Sequence, residues 1–141
     1  MPKLNPYLNF PGNAEEAFNF YRSVFRGEFS SLARFRDMPM EGANVPEAVE
    51  DKIMYVALPI GSDVLMGSDA WPSMGLNVTF GNHAYISVHA DSKEEAGRLF
   101  RALSEGGSVE MPIADQAWGD YFGSLTDRFG VKWMVSYTYP R

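Results

Sequence analysis

The sequence predicts an α+β fold of two βαβββ modules, a mixed sheet curling into a cup with one helix of each module packed outside. Three observations lead there. Residues 13–27, NAEEAFNFYRSVFRG, place Ala17, Phe18, Phe20, Tyr21, Val24 and Phe25 on one apolar stripe at helical spacing. Residues 92–106, SKEEAGRLFRALSEG, echo that stretch: a shift of 79 carries Glu15, Glu16, Ala17, Arg22 and Gly27 onto Glu94, Glu95, Ala96, Arg101 and Gly106. One extended segment precedes each helix and three follow it.

In chain order, residues 4–10 read as a strand leading into the first helix. Asn13 is the expected N-cap there, with Glu16 completing a variant capping box and Gly27 as the stop. After it, Phe29, Ala33 and Phe35 share one strand face, and Glu28, Ser30, Leu32, Arg34 and Arg36 the other. Residues 38–51, with two prolines, a glycine and several acids, read as a long loop, either a flap over a pocket or plain surface. Residues 53–60 and 64–67 around Gly61-Ser62-Asp63 read as a hairpin, and 69–82 as the connection between modules. The second half repeats the order: strand 83–90, helix 92–105 capped by Ser92, and an extended run 108–118. Strands 120–126 and 131–138 close it around an Asp127–Gly130 turn.

A chain of 141 residues with 45% hydrophobic content suits one domain, 1–141. Module one covers about residues 1–70, the connection about 71–82 and module two about 83–141. Each half is small enough that the two are expected to share a core. No apolar run approaches the roughly 20 residues of a membrane span. The start, MPKLNPYLNF, lacks a signal peptide's apolar region, so a cytoplasmic setting is expected. Absent cysteine excludes disulfides and thiol catalysis, and a net charge of −6 argues against nucleic-acid binding.

The stretch 118–133, WGDYFGSLTDRFGVKW, with PYLNF at 6–10, NAEEAFNFY at 13–21 and LMGSD at 65–69, closely resembles the PhnB-like group. That group belongs to the vicinal oxygen chelate superfamily, with the glyoxalases, bleomycin-resistance proteins and extradiol dioxygenases. The resemblance runs over nearly the whole chain and implies paired βαβββ modules, a cup-shaped site and a homodimer. Group members often carry a label taken from demethylubiquinone methyltransferases, yet this chain has neither a G-x-G-x-x-G turn nor a P-loop.

Metal-using members place ligands on the first and last strand of each module, and strand order maps those positions onto Pro6, Met66, His83 and Met134. A slip of two residues offers Leu4 or Leu8, Val64 or Ser68, Tyr85, and Lys132 or Ser136. None is a carboxylate, and thioethers serve hard or borderline ions poorly. His83 and His89 on one strand would stand roughly 20 Å apart, too far to share an ion. No metal and no other cofactor is therefore expected.

Alternation in 83–89 turns His83 and Tyr85 towards the cup, where His83 is the candidate base or hydrogen-bond donor. The competing reading is a solvated or internally bonded histidine. Trp118, Asp120 and Tyr121 are candidate ligand contacts, Met66 and Met134 an adaptable apolar floor, and Arg36 a rim cation for an anionic group. Turn capping is the alternative for Asp120, Asp127 and Asp69, and a surface ion pair the alternative for Arg36. Trp133 is expected in the core. The expected function is a small-molecule binding protein without a metal. The rival is a superfamily enzyme acting on a small oxygenated substrate through His83.

Overall fold

In the computed structural model, which describes residues 2–37, 47–71 and 75–140, the chain divides into two units, Met1–Thr79 and Phe80–Arg141. In the first, the apolar stripe becomes helix α1 (Ala14–Phe25), which buries Ala14, Ala17, Phe18, Tyr21 and Val24. Strands β1 (Tyr7–Phe10), β2 (Ser31–Arg34), β3 (Ile53–Ile60) and β4 (Asp63–Asp69) form a sheet in the order β1-β4-β3-β2. β1 runs parallel to β4, and the other pairs are antiparallel. Alternation along β4 buries Leu65, Gly67 and Asp69 and leaves Val64, Met66 and Ser68 half-buried on the helix-free face. Gly67 has no room for a side chain. A Cβ there would stand 2.6 Å from the Phe18 ring and 2.8 Å from the Leu8 carbonyl oxygen.

Asp69, only 3% exposed, ties three elements together. Its Oδ1 accepts the Ala14 N–H at 2.9 Å and its Oδ2 accepts the Ile53 N–H at 2.9 Å. The start of α1 is thus capped from β4, and the expected Asn13 cap is corrected. Asn13 has φ −116° and ψ 26°, away from the extended geometry of a capping residue, and makes no side-chain cap bond. The helix ends on Arg26 in the left-handed region at φ 55°, one residue before the expected Gly27.

The second unit has the same connectivity. β5 (Ile86–His89), α2 (Lys93–Ser104), β6 (Ser108–Asp115), β7 (Asp120–Thr126) and β8 (Lys132–Thr138) form a sheet in the order β5-β8-β7-β6, with β5 and β8 parallel. The two helices start at 14 and 93 and end at 25 and 104, so the shift of 79 relates them end to end. α2 buries Ala96, Gly97, Leu99, Phe100 and Leu103. Here the expected cap forms: Ser92 Oγ accepts the Glu95 N–H at 3.1 Å. Trp133 is buried as expected and donates from Nε1 to Asp127 Oδ2 at 2.8 Å. The other Asp127 oxygen accepts the Phe129 and Val131 N–H groups, which fixes the β7–β8 turn.

β4 extends beyond the expected 64–67 to 63–69, β6 stops at Asp115 instead of 118 and β8 starts one residue late, while β1, β2 and β5 differ for identifiable local reasons. β1 starts at Tyr7, after Pro6, which has no N–H for a ladder. β2 stops at Arg34, where a bulge follows Ala33 and Asp37 Oδ2 accepts the Arg34 N–H at 3.1 Å. Phe35 enters a short 3₁₀ turn and packs edge-on against Trp71 with ring centroids 4.6 Å apart. β5 starts at Ile86 rather than 83: its parallel partner β8 begins at Lys132, opposite Tyr85, so residues 83 and 84 lie beyond the partner strand. Of the loop read at 38–51, residues 38–46 lie outside the described residues.

Chemical-denaturant unfolding will separate the two capping schemes. Asp69→Ala orphans two buried N–H groups and will cost about 2–5 kcal/mol, whereas Asn13→Ala will cost less than about 0.5 kcal/mol. Gly67→Ala, which drives a methyl into Phe18 and Leu8, will cost about 1–3 kcal/mol.

Candidate functional site

Each sheet has one face against its helix and one face without a helix, and the side chains with chemical potential gather on the latter. In the first unit that face carries Tyr7 beside Met66, with Ala57 on the other side of Met66. Tyr7 stacks on Tyr55 with ring centroids 6.4 Å apart, and Ser68 Oγ bonds Asn9 Oδ1 at 3.4 Å.

In the second unit, Ile86 and Val88 pair with Trp133 and Val135 of the core, so Ser87 and His89 point to the helix-free face. Register then places Ser87, Met134, Ser124 and Met111 in one row across β5, β8, β7 and β6. The next row holds His89, Ser136 and Phe122, with Ser136 Oγ 3.0 Å from His89 Nδ1. At the end near the β7–β8 turn is a closed polar cluster. Tyr85 Oη donates to Glu110 Oε2 at 2.7 Å and Thr126 Oγ1 donates to Glu110 Oε1 at 2.9 Å. Lys132 Nζ donates to Thr126 Oγ1 at 2.9 Å, is ion-paired with Glu110 and lies 5.4 Å over the Tyr85 ring.

That cluster sets its own protonation. The Lys132 ammonium, then the Tyr85 phenol, hold the Glu110 carboxyl down to about 2. In return, hydrogen bonding to Glu110 raises both Lys132 and Tyr85. At neutral pH the cluster is one anion against one cation.

The structure brings together only part of the candidate set. Met134 and Tyr85 share the helix-free face of the second sheet, and Met66 occupies the corresponding place in the first. His83 lies exposed, three residues before β5. Trp118, 57% exposed, donates from Nε1 to Asp120 Oδ2 at 3.0 Å and packs edge-on against Phe122 with centroids 5.7 Å apart. Tyr121 projects to the opposite face from Asp120, where Lys93 at the start of α2 lies 4.9 Å over its ring. Arg36 is ion-paired with Asp51. Arg34, two residues before it, grips Glu15 through two bonds of 3.0 and 2.7 Å. Sequence reasoning missed Glu110, Thr126, Ser87, Ser124 and Met111. Cross-strand register assembles them, and a β-bulge on either side of Met111 sets it.

Register also corrects the mapping of the superfamily's metal positions. Met66 sits opposite Tyr7, not Pro6, and Met134 opposite Ser87, not His83. A phenol or a hydroxyl beside a thioether is a poor donor set for zinc, nickel, manganese or iron. Among the described residues no three His, Cys, Asp or Glu side chains converge to hold an ion. These residues do not fit the metal.

A sheet with a parallel first–last pair and two antiparallel pairs, built twice with one helix each, defines the class: an α+β fold of glyoxalase type. A glyoxalase/bleomycin resistance protein/dioxygenase family enzyme from Burkholderia phytofirmans PsJN has this fold, with TM-score 0.65 at 18% identity over 94% of this chain and 97% of that one. Within that class, the chain belongs to the PhnB-like family whose model is described as 3-demethylubiquinone-9 3-methyltransferase, matched over residues 2–136. Protein PA1353 from Pseudomonas aeruginosa is 42% identical, with TM-score 0.86 over 98% of both chains. A Bacillus cereus protein described as a putative 3-demethylubiquinone-9 3-methyltransferase, PhnB protein, is 28% identical, with TM-score 0.76 over 97% of this chain and 100% of that one. The methyltransferase wording does not match what this chain offers a nucleotide-like cofactor. Among the described residues each sheet has a single parallel pair and neither is doubly wound, and the sequence has no G-x-G-x-x-G turn.

Because the folded Glu110 carboxyl titrates below its usual value of 4.5, its stabilising effect is complete above about pH 4.5 and fades as pH falls towards about 2. The stability gap between the native protein and Glu110→Gln, measured by denaturant titration across pH, will be widest near neutrality and will close over that acid window.

Proposed function

We propose that the chain is a small-molecule binding protein that works without the superfamily's metal and holds a neutral, apolar or aromatic ligand on its helix-free sheet faces. The observation that carries this reading is the methionine at the centre of each face, Met66 beside Tyr7 and Met134 beside Ser87. A thioether is polarisable and conformationally adaptable, which suits the floor of an aromatic site. Charge disfavours an anionic ligand: Lys132 is ion-paired with Glu110, so it is not free to meet an anionic group. Met66 and Met134 form the floors, with Tyr85, Trp118 and Asp120 at the ends of the second face. Tyr121 and Arg36 have no place in it, since one lies on the helix side and the other is held by Asp51. A cytoplasmic homodimer is the setting this reading assumes.

Native mass spectrometry of the purified protein will recover a neutral small molecule in stoichiometric amount. Calorimetric titration with zinc, nickel and manganese will give no tight stoichiometric binding. Tight metal uptake would overturn the proposal. Turnover of a dicarbonyl–thiol adduct or a catechol, lost on chelation and in His83→Ala, would replace it with the superfamily's enzymatic chemistry.

A further inference from the structure

The row Ser87–Met134–Ser124–Met111 alternates hydroxyl and thioether across all four strands of the second sheet. Two of its members have hydrogen-bonding capacity that the protein does not use. Ser124 is only 7% exposed, yet its hydroxyl finds no partner among the described residues and is not sealed from solvent. Ser87 is exposed and likewise makes no side-chain bond there. The neighbouring row behaves differently: Ser136, 4% exposed, is engaged by His89. Both hydroxyls are open to water, so each can exchange that water for a polar group of a ligand.

Resting on the reading of this face as a ligand site, we infer that Ser124 and Ser87 are specificity-determining contacts. Their ligand is a neutral planar aromatic molecule with hydrogen-bonding substituents at opposite ends. With strands about 4.8 Å apart, the two serines flank Met134 at a separation of roughly 10 Å. A ring system lying over the Met134 thioether, with Met111 beyond Ser124, brings one polar substituent to each hydroxyl. The methionines supply apolar and sulfur–aromatic contact, and the serines fix the orientation. The polar cluster of Tyr85, Glu110, Thr126 and Lys132 limits the site at one end, because its donors and acceptors already satisfy one another.

The test uses 2,6-dihydroxynaphthalene and 2-naphthol as probes on the full chain labelled with ¹³C at the methionine methyls, with Met134→Leu and Met111→Leu assigning the signals. The dihydroxy probe is expected to shift the Met134 and Met111 methyl resonances and to bind more tightly than 2-naphthol. Ser124→Ala or Ser87→Ala is expected to weaken the dihydroxy probe by about fivefold, the loss of one hydrogen bond, and to leave 2-naphthol unchanged. Equal binding of the dihydroxy probe to native protein and Ser124→Ala, with the Met134 methyl still shifted, overturns the serine assignment while the binding-protein reading stands. An unmoved Met134 methyl with both probes overturns the inference. In that case the mass spectrum of co-purifying molecules decides the broader reading separately.

Discussion

Parallel pairing of the first and last strands of each module governs everything else in this molecule. β1 against β4 and β5 against β8 each close a sheet whose other contacts are antiparallel. A slip of one residue in either pair would turn the core side chains of β4 or β8 to the wrong face. The core residues themselves prevent the slip. Val88 must pair with buried Val135, and Leu8 with Gly67, whose bare Cα accommodates the Phe18 ring. Once those pairs are set, Tyr7 with Met66 and Ser87 with Met134 follow on the opposite face, so core packing dictates the composition of the candidate site.

The two modules solve the same packing problem with one device, a helix ring set against a bare strand position, placed differently in each. At the helix-facing centre of the first parallel pair, the large group is on the helix, Phe18, and the strand supplies Gly67. In the second module the ring is Phe100 of α2 and the bare strand position is Gly123 of β7, where an added Cβ would stand 2.7 Å from that ring. Differences of this kind leave helix length and connectivity intact while side-chain identity drifts. A duplication can therefore persist in topology after little of it survives residue by residue.

This pattern also explains what was legible in the sequence. Both helices were visible because an amphipathic period is a local signal, and β3 and β7 matched their expected limits, 53–60 and 120–126. The caps divided according to distance. Ser92 bonds a backbone three residues away and could be read from spacing, whereas the group that caps α1 is Asp69, separated from Ala14 by 55 positions. His83 was misplaced on β5 because the alternation of 83–89 continues past the point where the partner strand ends. Nothing in those seven residues reveals that β8 begins only at Lys132, after a turn pinned by Asp127. Glu110, Ser87 and Ser124 were illegible for a related reason. They become neighbours only through a four-strand register that includes two irregularities in β6.

The contrast between the polar cluster and the serine row is what gives the second face a direction. Glu110 accepts from Tyr85, Thr126 and Lys132 at once, so that end is a finished network, rigid and electrically balanced. One row away, Ser124 and Ser87 flank Met134 with hydroxyls that find no partner among the described residues. Folding alone explains the first arrangement, since every group in it is satisfied. The second arrangement is uncommitted, because among the described residues neither hydroxyl has a protein partner and both stay open to solvent. Two open hydroxyls flanking the Met134 thioether, beside a cluster that is already closed, are what orient the proposed site along its row.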